Sequence, residues 1–276
     1  MGRVAVLGSL NVDVVTLVER HPVPGETLLG EAGGTYAGGK GGNQAAAAAR
    51  AGAAVSMLAR VGDDGPGRSY LDRLTGLGID TSAVSTSGSA PTGTAFITVD
   101  EQGENSIIVV AGANGEGDRA LVERAGELGP GDVLLCSLEV DLATVADAAR
   151  AAHGAGARVV LNLAPYAVLP PDVVALADPV VVNESEMRDL ADSDLVPESL
   201  LVTFGAAGAR WGMDGVDGLP VAKRDVIDTV GAGDAFCGAL AAALAGGAGR
   251  QDALDAANGA GAAAVRWVGA QPDAAL

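Results

Sequence analysis

The chain has 276 residues, 49% hydrophobic and 3% aromatic, so a sizeable core can form and must be built from Ala, Val and Leu. Lys+Arg 17 against Asp+Glu 35 leaves a net charge of −18, which argues against nucleic acid and anionic membrane as partners. Two cysteines in apolar contexts and two histidines exclude a disulfide framework, a zinc site and a His-rich metal centre, and the N-terminal run turns polar by Asn11, so the expectation is a chain without a signal peptide in a reducing cytoplasm.

Residues Val4–Leu7 form a continuous apolar run ending at Gly8, the pattern of a strand buried on both faces. Asn11-Val12-Asp13 follow at its carboxyl end, where open α/β sheets place ligands; an Asx turn explains them equally well at this stage. Residues 14–36 lack a helical period and carry Pro22, Pro24 and Gly25, so loops and short strands outside the main sheet are expected. Gly38-Gly39-Lys40-Gly41-Gly42-Asn43-Gln44 then opens an Ala-rich helix reaching Ala51. Gly34 through Lys40 approaches a P-loop, but Gly41 stands where a magnesium-binding hydroxyl belongs and no buried strand precedes it, so that reading is rejected. Paired glycines around Lys40 still describe backbone that lies against a small polar ligand.

A second buried strand is expected over 55–61, and 71–77 lies on a helix that stops at Gly78. Residues 92–100 and 105–111 flank Glu101-Gln102-Gly103-Glu104 and read as a β-hairpin, which can join 14–36 in a small separate sheet over one edge of the domain. After Gly115 strands at 132–136, 158–163, 179–182 and 200–203 alternate with helices at about 118–127, 141–153 and 184–191. That order predicts an α/β fold, a doubly wound, mainly parallel sheet sandwiched by helices, in one domain spanning 1–276. Glu139, Asn162, Asn183, Glu186 and Thr203 gather at the carboxyl edge of those strands. A late antiparallel hairpin over 211–221 is expected to turn at Asp214-Gly215, and 251–267 to form the last helix.

Asp228-Thr229-Val230-Gly231-Ala232-Gly233-Asp234 runs straight into an Ala/Leu-rich helix. Glycines at 231 and 233 let the backbone bend close to a ligand, and the unpaired N–H groups and positive dipole end of the helix make an anion site. Asp234 at the helix start either caps it or accepts a proton from a hydroxyl that attacks a bound phosphate.

Seven segments, in order from residue 8 to 272, resemble the ribokinase-like sugar kinases: Gly8-Ser9-Leu10-Asn11-Val12-Asp13, Pro24-Gly25-Glu26-Thr27, Gly38 through Ala45, Ala111-Gly112-Ala113-Asn114, Asn183-Glu184-Ser185-Glu186, Asp228 through Asp234, and Gly269-Ala270-Gln271-Pro272. The resemblance implies an ATP-dependent kinase for ribose at its 5-hydroxyl, with a small β lid from insertions at about 14–37 and 91–112 and a homodimer formed through that lid. It implies that Asn11, Asp13, Gly39, Lys40, Asn43 and Glu139 hold the sugar, that Asp234 is the base, and that Ala232 and Gly233, with Gly231, form the anion hole. Asn183, Thr203, Gly205, Gly208, Gly233 and Asn258 are expected on the nucleotide side, with Glu186 serving magnesium through water. A potassium ion is expected among Asp228, Val230, Ala264, Trp267, Gly269 and Asp273, the last standing where serine is frequent in the family. The sequence departs from the family in two places: only residues 187–200 stand where the family usually carries a further helix, still enough for the crossover of about a dozen residues that a parallel strand pair needs, and only 273–276 follow Pro272, where the family normally adds a terminal helix, so stability and the adenine end of the site are the parts these departures bear on. Alternatives are another sugar or nucleoside kinase of the family and a catalytically weak sugar-binding protein.

Overall fold

Residues 2–276 are described, from a computed structural model. The chain opens with β1 (Val4–Leu7), in which Val4 and Val6 join one apolar cluster while Ala5 and Leu7 join a second. Successive side chains of a strand point to opposite faces, so this one strand faces two cores. In chain order there follow β2 (Asn11–Leu17), β3 (Glu31–Gly38), α1 (Lys40–Arg50), β4 (Val55–Leu58), β5 (Arg60–Gly62), α2 (Gly65–Gly76), β6 (Ser85–Ser87), β7 (Gly93–Val99) and β8 (Asn105–Val110). The second half runs α3 (Arg119–Ala125), β9 (Val133–Cys136), α4 (Leu142–Gly154), β10 (Arg158–Asn162), α5 (Pro171–Ala175), β11 (Val180–Asn183), α6 (Glu184–Ala191), β12 (Leu200–Thr203), β13 (Gly208–Trp211), β14 (Asp214–Asp217), α7 (Ala232–Ala245) and α8 (Arg250–Ala264).

Eight strands form the main sheet in the order β14-β13-β12-β11-β10-β9-β1-β4. All neighbours pair in parallel except β12 with β13 and β13 with β14. Residues of α1, α2, α7 and α8 fill the cluster on one face, and those of α3, α4, α5 and α6 the cluster on the other. The expected doubly wound sandwich is therefore observed. A Cβ at Gly238 on α7 would lie 2.4 Å from the carbonyl oxygen of Gln44, so the small-residue stripe on α7 is what lets α1 approach it.

A four-stranded sheet in the order β3-β2-β7-β8 stands apart, with β2 parallel to β7 and the other pairs antiparallel. Every residue of β8 is exposed, among them Ile107, Ile108, Val109 and Val110. The predicted 92–100/105–111 hairpin is this β7–β8 pair.

Three expectations are corrected. Residues 55–61 are two strands, because β5 leaves the main sheet after Ala59 and pairs with β6. The late hairpin turns at Gly212-Met213, where Gly212 has φ 62, and Asp214 and Gly215 already lie in β14 opposite Trp211 and Arg210. The last helix ends at Ala264, so Trp267 lies beyond it. The short 187–200 segment does close the parallel β11–β12 pair, through α6 and a loop.

Candidate active site

Asp234 is buried in the first turn of α7. Gly231 precedes the helix with φ 78, and a Cβ there would lie 2.3 Å from Ala270 Cα, so only glycine allows this turn to pack on the 269–272 loop. The first full helical-type bond is Ala235 N–H to Gly231 O at 2.8 Å, while Ala232 N–H makes a long 3.4 Å contact with Thr229 O. The N–H groups of Gly233 and Asp234 thus stay free at the positive end of α7, and nothing crowds the space beside Gly233.

Both oxygens of Asp234 are held by amides from α1. Asn43 Nδ2 donates to Oδ2 at 3.0 Å and Gln44 Nε2 donates to Oδ1 at 3.0 Å. Burial raises the Asp234 pKa above the carboxylate value, and Lys40 and the two amides work in the opposite direction. Burial likewise opposes charge on Lys40, but Asp234, Glu139 and Glu186 around it outweigh that and hold its pKa above the ordinary lysine value.

A cleft lined by Lys40, Asn162, Asn183, Glu186, Thr203, Gly231, Gly233 and Asp234 runs along the carboxyl ends of β10–β12 to the start of α7. Asn183 caps α6 reciprocally: its Oδ1 accepts from Ser185 and Glu186 N–H, and Glu186 Oε2 accepts from Asn183 N–H at 2.8 Å. Burial raises the Glu186 pKa.

A second cavity, under the small sheet, is lined by Asn11, Val109, Ala111, Glu139, Asp141 and Pro165 among others. Glu139 Oε2 accepts from Ser9 Oγ at 2.5 Å and from the Lys40 N–H at 3.0 Å. Asn11 Oδ1 accepts from Asn114 Nδ2 at 2.8 Å. Burial, with the Glu139 charge behind it, pushes Asp13 up to about 7. Gly39, at φ 81, takes a backbone conformation that favours glycine, directly before α1.

The remaining expected positions fall into two groups. Asp228 Oδ1 accepts from Val230 N–H and Oδ2 from Gly269 N–H, both at 2.9 Å, so its side chain ties the 228–231 turn to the loop after α8. Ala264 and Trp267 share a small apolar cluster with Ala47 and Ala235, and the Trp267 Nε1 is buried without a partner. Asp273 is exposed, with Arg50 facing its charge. Gly205 and Gly208 bracket the short turn after β12, and Asn258 Nδ2 donates to Asp217 O at 3.0 Å; these three stand outside the lining of the cleft.

Gln44, Ser9, Asn114 and Gln271 were given no role by sequence reasoning, although each lies inside one of the motifs quoted above. Gln271 Nε2 donates to Asn43 Oδ1 at 2.8 Å. Tyr70, whose OH donates to Gly38 O at 2.6 Å, carried no sequence signal at all.

The family model described as pfkB family carbohydrate kinase matches residues 1–275. A ribokinase of Bacillus subtilis is 36% identical over 280 residues, covering 98% of this chain and 95% of that protein. A ribokinase of Haemophilus influenzae is 35% identical over 260 residues, covering 87% and 84%. Among solved structures, Arabidopsis thaliana ribokinase complexed with ribose and ATP aligns with a TM-score of 0.85 at 28% identity, covering 98% of this chain and 95% of the other.

Proposed function

The chain belongs to the pfkB family of carbohydrate kinases, and from that premise we propose that it transfers the γ-phosphoryl group of ATP to the 5-hydroxyl of D-ribose, giving ribose 5-phosphate and ADP. The observation that carries this reading is Asp234, buried and aimed by two amides beside free helix N–H groups and Lys40. Phosphoryl transfer needs positioning, charge stabilisation and an acceptor for the hydroxyl proton, and those groups supply all three. Asp234 takes the proton of the attacking hydroxyl. Ala232 and Gly233, with Gly231 turning the chain, serve as the anion hole for the transferring oxygens in this reading, with Ala232 N–H exchanging its long contact to Thr229 O for the phosphate and Lys40 alongside.

Asn11, Asp13, Gly39, Lys40, Asn43 and Glu139 hold the sugar in this reading. Hydroxyls both donate and accept, so mixed carboxylate and amide partners suit a polyol. Asn183, Thr203, Gly205, Gly208, Gly233 and Asn258 take the nucleotide side. The small sheet, from about 14–37 and 91–112, serves as the lid of a single kinase domain over 1–276. Its exposed Phe96, Ile107, Ile108 and Val110 favour a homodimer through the lid. A net charge of −18 favours a small-molecule partner over nucleic acid, and a cytoplasmic setting suits the chemistry.

Magnesium fits the donor set: Glu186 offers a hard oxygen beside the cleft, with one oxygen engaged by Asn183 N–H and the other left to bind a metal-coordinated water. When bound, the ion neutralises phosphate charge. Potassium would lie between the 228–231 turn and the end of α8 with its following loop, which Asp228 joins through Val230 N–H and Gly269 N–H, and its ligands in this reading are Asp228 and the carbonyls of Val230, Ala264, Trp267 and Gly269. Asp273, exposed in the same terminal segment, is the sixth position of that reading. A panel of pentoses, hexoses and nucleosides with ATP and magnesium, assayed for ADP release, tests the proposal; ribose is expected to give the highest kcat/KM, and a nucleoside ahead of every free sugar would overturn it.

A further inference from the structure

Asp234 is bonded by two amides, and those amides are secured differently. Gln44 gives Asp234 its NH2, but its Oε1 is buried with no partner. Asn43 is part of a longer chain. Its Oδ1 accepts from Gln271 Nε2 at 2.8 Å, and Gln271 Oε1 accepts from Arg73 Nη2 at 3.1 Å. Arg73, on α2, also donates to the carbonyls of Pro272 and Asp273, which fastens the 271–273 segment to that helix.

We infer that Arg73 and Gln271 are positioning residues for the base: a one-way chain of donors, Arg73 to Gln271 to Asn43 to Asp234, dictates which end of the Asn43 amide meets the carboxylate. The inference rests on the kinase reading above. A guanidinium donates and never accepts, so the group it meets on Gln271 must be the carbonyl oxygen. The NH2 of Gln271 then points at Asn43 and must meet its oxygen. The NH2 of Asn43 is left for Asp234 Oδ2. Polarity set at the edge of the fold is thereby delivered to its buried centre. Reversal of Asn43 would place a carbonyl against Oδ2, an arrangement that needs a proton on the carboxyl and so removes the base. Other titratable groups around Asp234 are Lys40 from α1, Glu139 after β9, Glu186 from α6, Cys237 from α7 itself and Tyr70 from α2. None of them touches the amide whose orientation is at issue in the hydrogen-bond pattern.

Three variants separate this from simple packing. Gln271→Glu keeps the shape but offers only acceptors, so it still meets Arg73 and draws the Asn43 NH2 toward itself, turning the Asn43 carbonyl onto Asp234. Gln271→Met deletes the link without reversing it, and Arg73→Met releases the outer end. The readout is the ¹³C titration of the Asp234 carboxyl in the ligand-free protein, identified by its loss in Asp234→Asn, together with the pH profile of kcat. In Gln271→Glu the added negative charge and the reversed hydrogen bond both raise the Asp234 midpoint, so reversal itself is read from the Asn43 side-chain ¹⁵NH2 resonance, which is expected to follow the Asp234 titration in the parent and in Gln271→Met and to lose that response in Gln271→Glu. An Asn43 NH2 resonance that still follows the Asp234 titration in Gln271→Glu, or a midpoint there that stays in place, overturns the inference. If Gln271→Glu does not fold, an unmoved midpoint in Arg73→Met overturns it. Absence of turnover in the parent protein with every sugar would instead sink the kinase reading, and the carboxyl titration still decides the donor chain.

Discussion

Gly38 leaves the space that the Asp13 carboxylate fills: a Cβ at position 38 would lie 2.1 Å from Asp13 Oδ2. The two residues face each other across the β2–β3 pair, with Asp13 opposite Tyr36 and Asn11 opposite Gly38 in register. Gly38→Ala therefore drives the carboxylate away from its position. The KM for ribose is expected to rise roughly tenfold, the loss of about one charge-assisted hydrogen bond of ~1.5 kcal/mol. Steady-state kinetics with each substrate varied in turn checks this, and a rise confined to the KM for ATP would contradict the assignment of Asp13 to the sugar.

Asp234→Asn keeps the volume and one acceptor but cannot take a proton. Sugar and nucleotide binding, read by calorimetry, are expected to persist while kcat falls ~10²–10⁴-fold, the usual contribution of a general base. A variant with near-parental kcat would remove Asp234 from the chemistry.

Much of the fold was legible because its periodicity is plain. Val4–Leu7 and Val133–Cys136 are short apolar runs, and each is buried throughout. The limits are as physical as the successes. The apolar run continues through Ala59 into β5, and side-chain pattern does not record that β5 changes partner from β1 to β6. α5 has only five residues and begins at Pro171 after Pro170, too short for a helical period to show. Asp214-Gly215 looks like a turn pair, yet Gly212 is the residue with positive φ. At the site, Asp13, Asn43, Lys40 and Asp234 could be singled out from motifs. The amide polarity linking Asn43 to Gln271 spans 228 positions and exists only in the folded chain.

Asp13 carries a pH signature of its own. Its pKa is raised from 3.8 to about 7, so between those values the folded protein holds a proton that the unfolded chain releases. Stability therefore falls as pH rises through that window, and the cost is full above it. Asp13→Asn removes the cost. The Tm of the ligand-free variant is expected to exceed the parent by a few degrees at pH 8, with the gap closing toward pH 4; a gap of equal size at both pH values would show that burial of the Asp13 charge is not its source.

Asp228 accepts from Val230 N–H and Gly269 N–H, joining the two segments proposed to bind potassium. Potassium chloride is expected to activate turnover relative to a bulky-cation salt at the same ionic strength, and Asp228→Ala to abolish that difference. Equal rates in both salts for the parent protein would eliminate the cation from the account.

Transfer of phosphate from ATP to the 5-hydroxyl of ribose is the reaction proposed for this site. Proton-coupled ³¹P NMR of a reaction containing protein, ATP, magnesium and ribose reads the product directly. Transfer to the 5-hydroxyl predicts a new phosphomonoester split into a triplet by the two C5 methylene protons, growing in step with ADP. A doublet from a single-proton carbon, or ADP that forms equally without ribose, would contradict it.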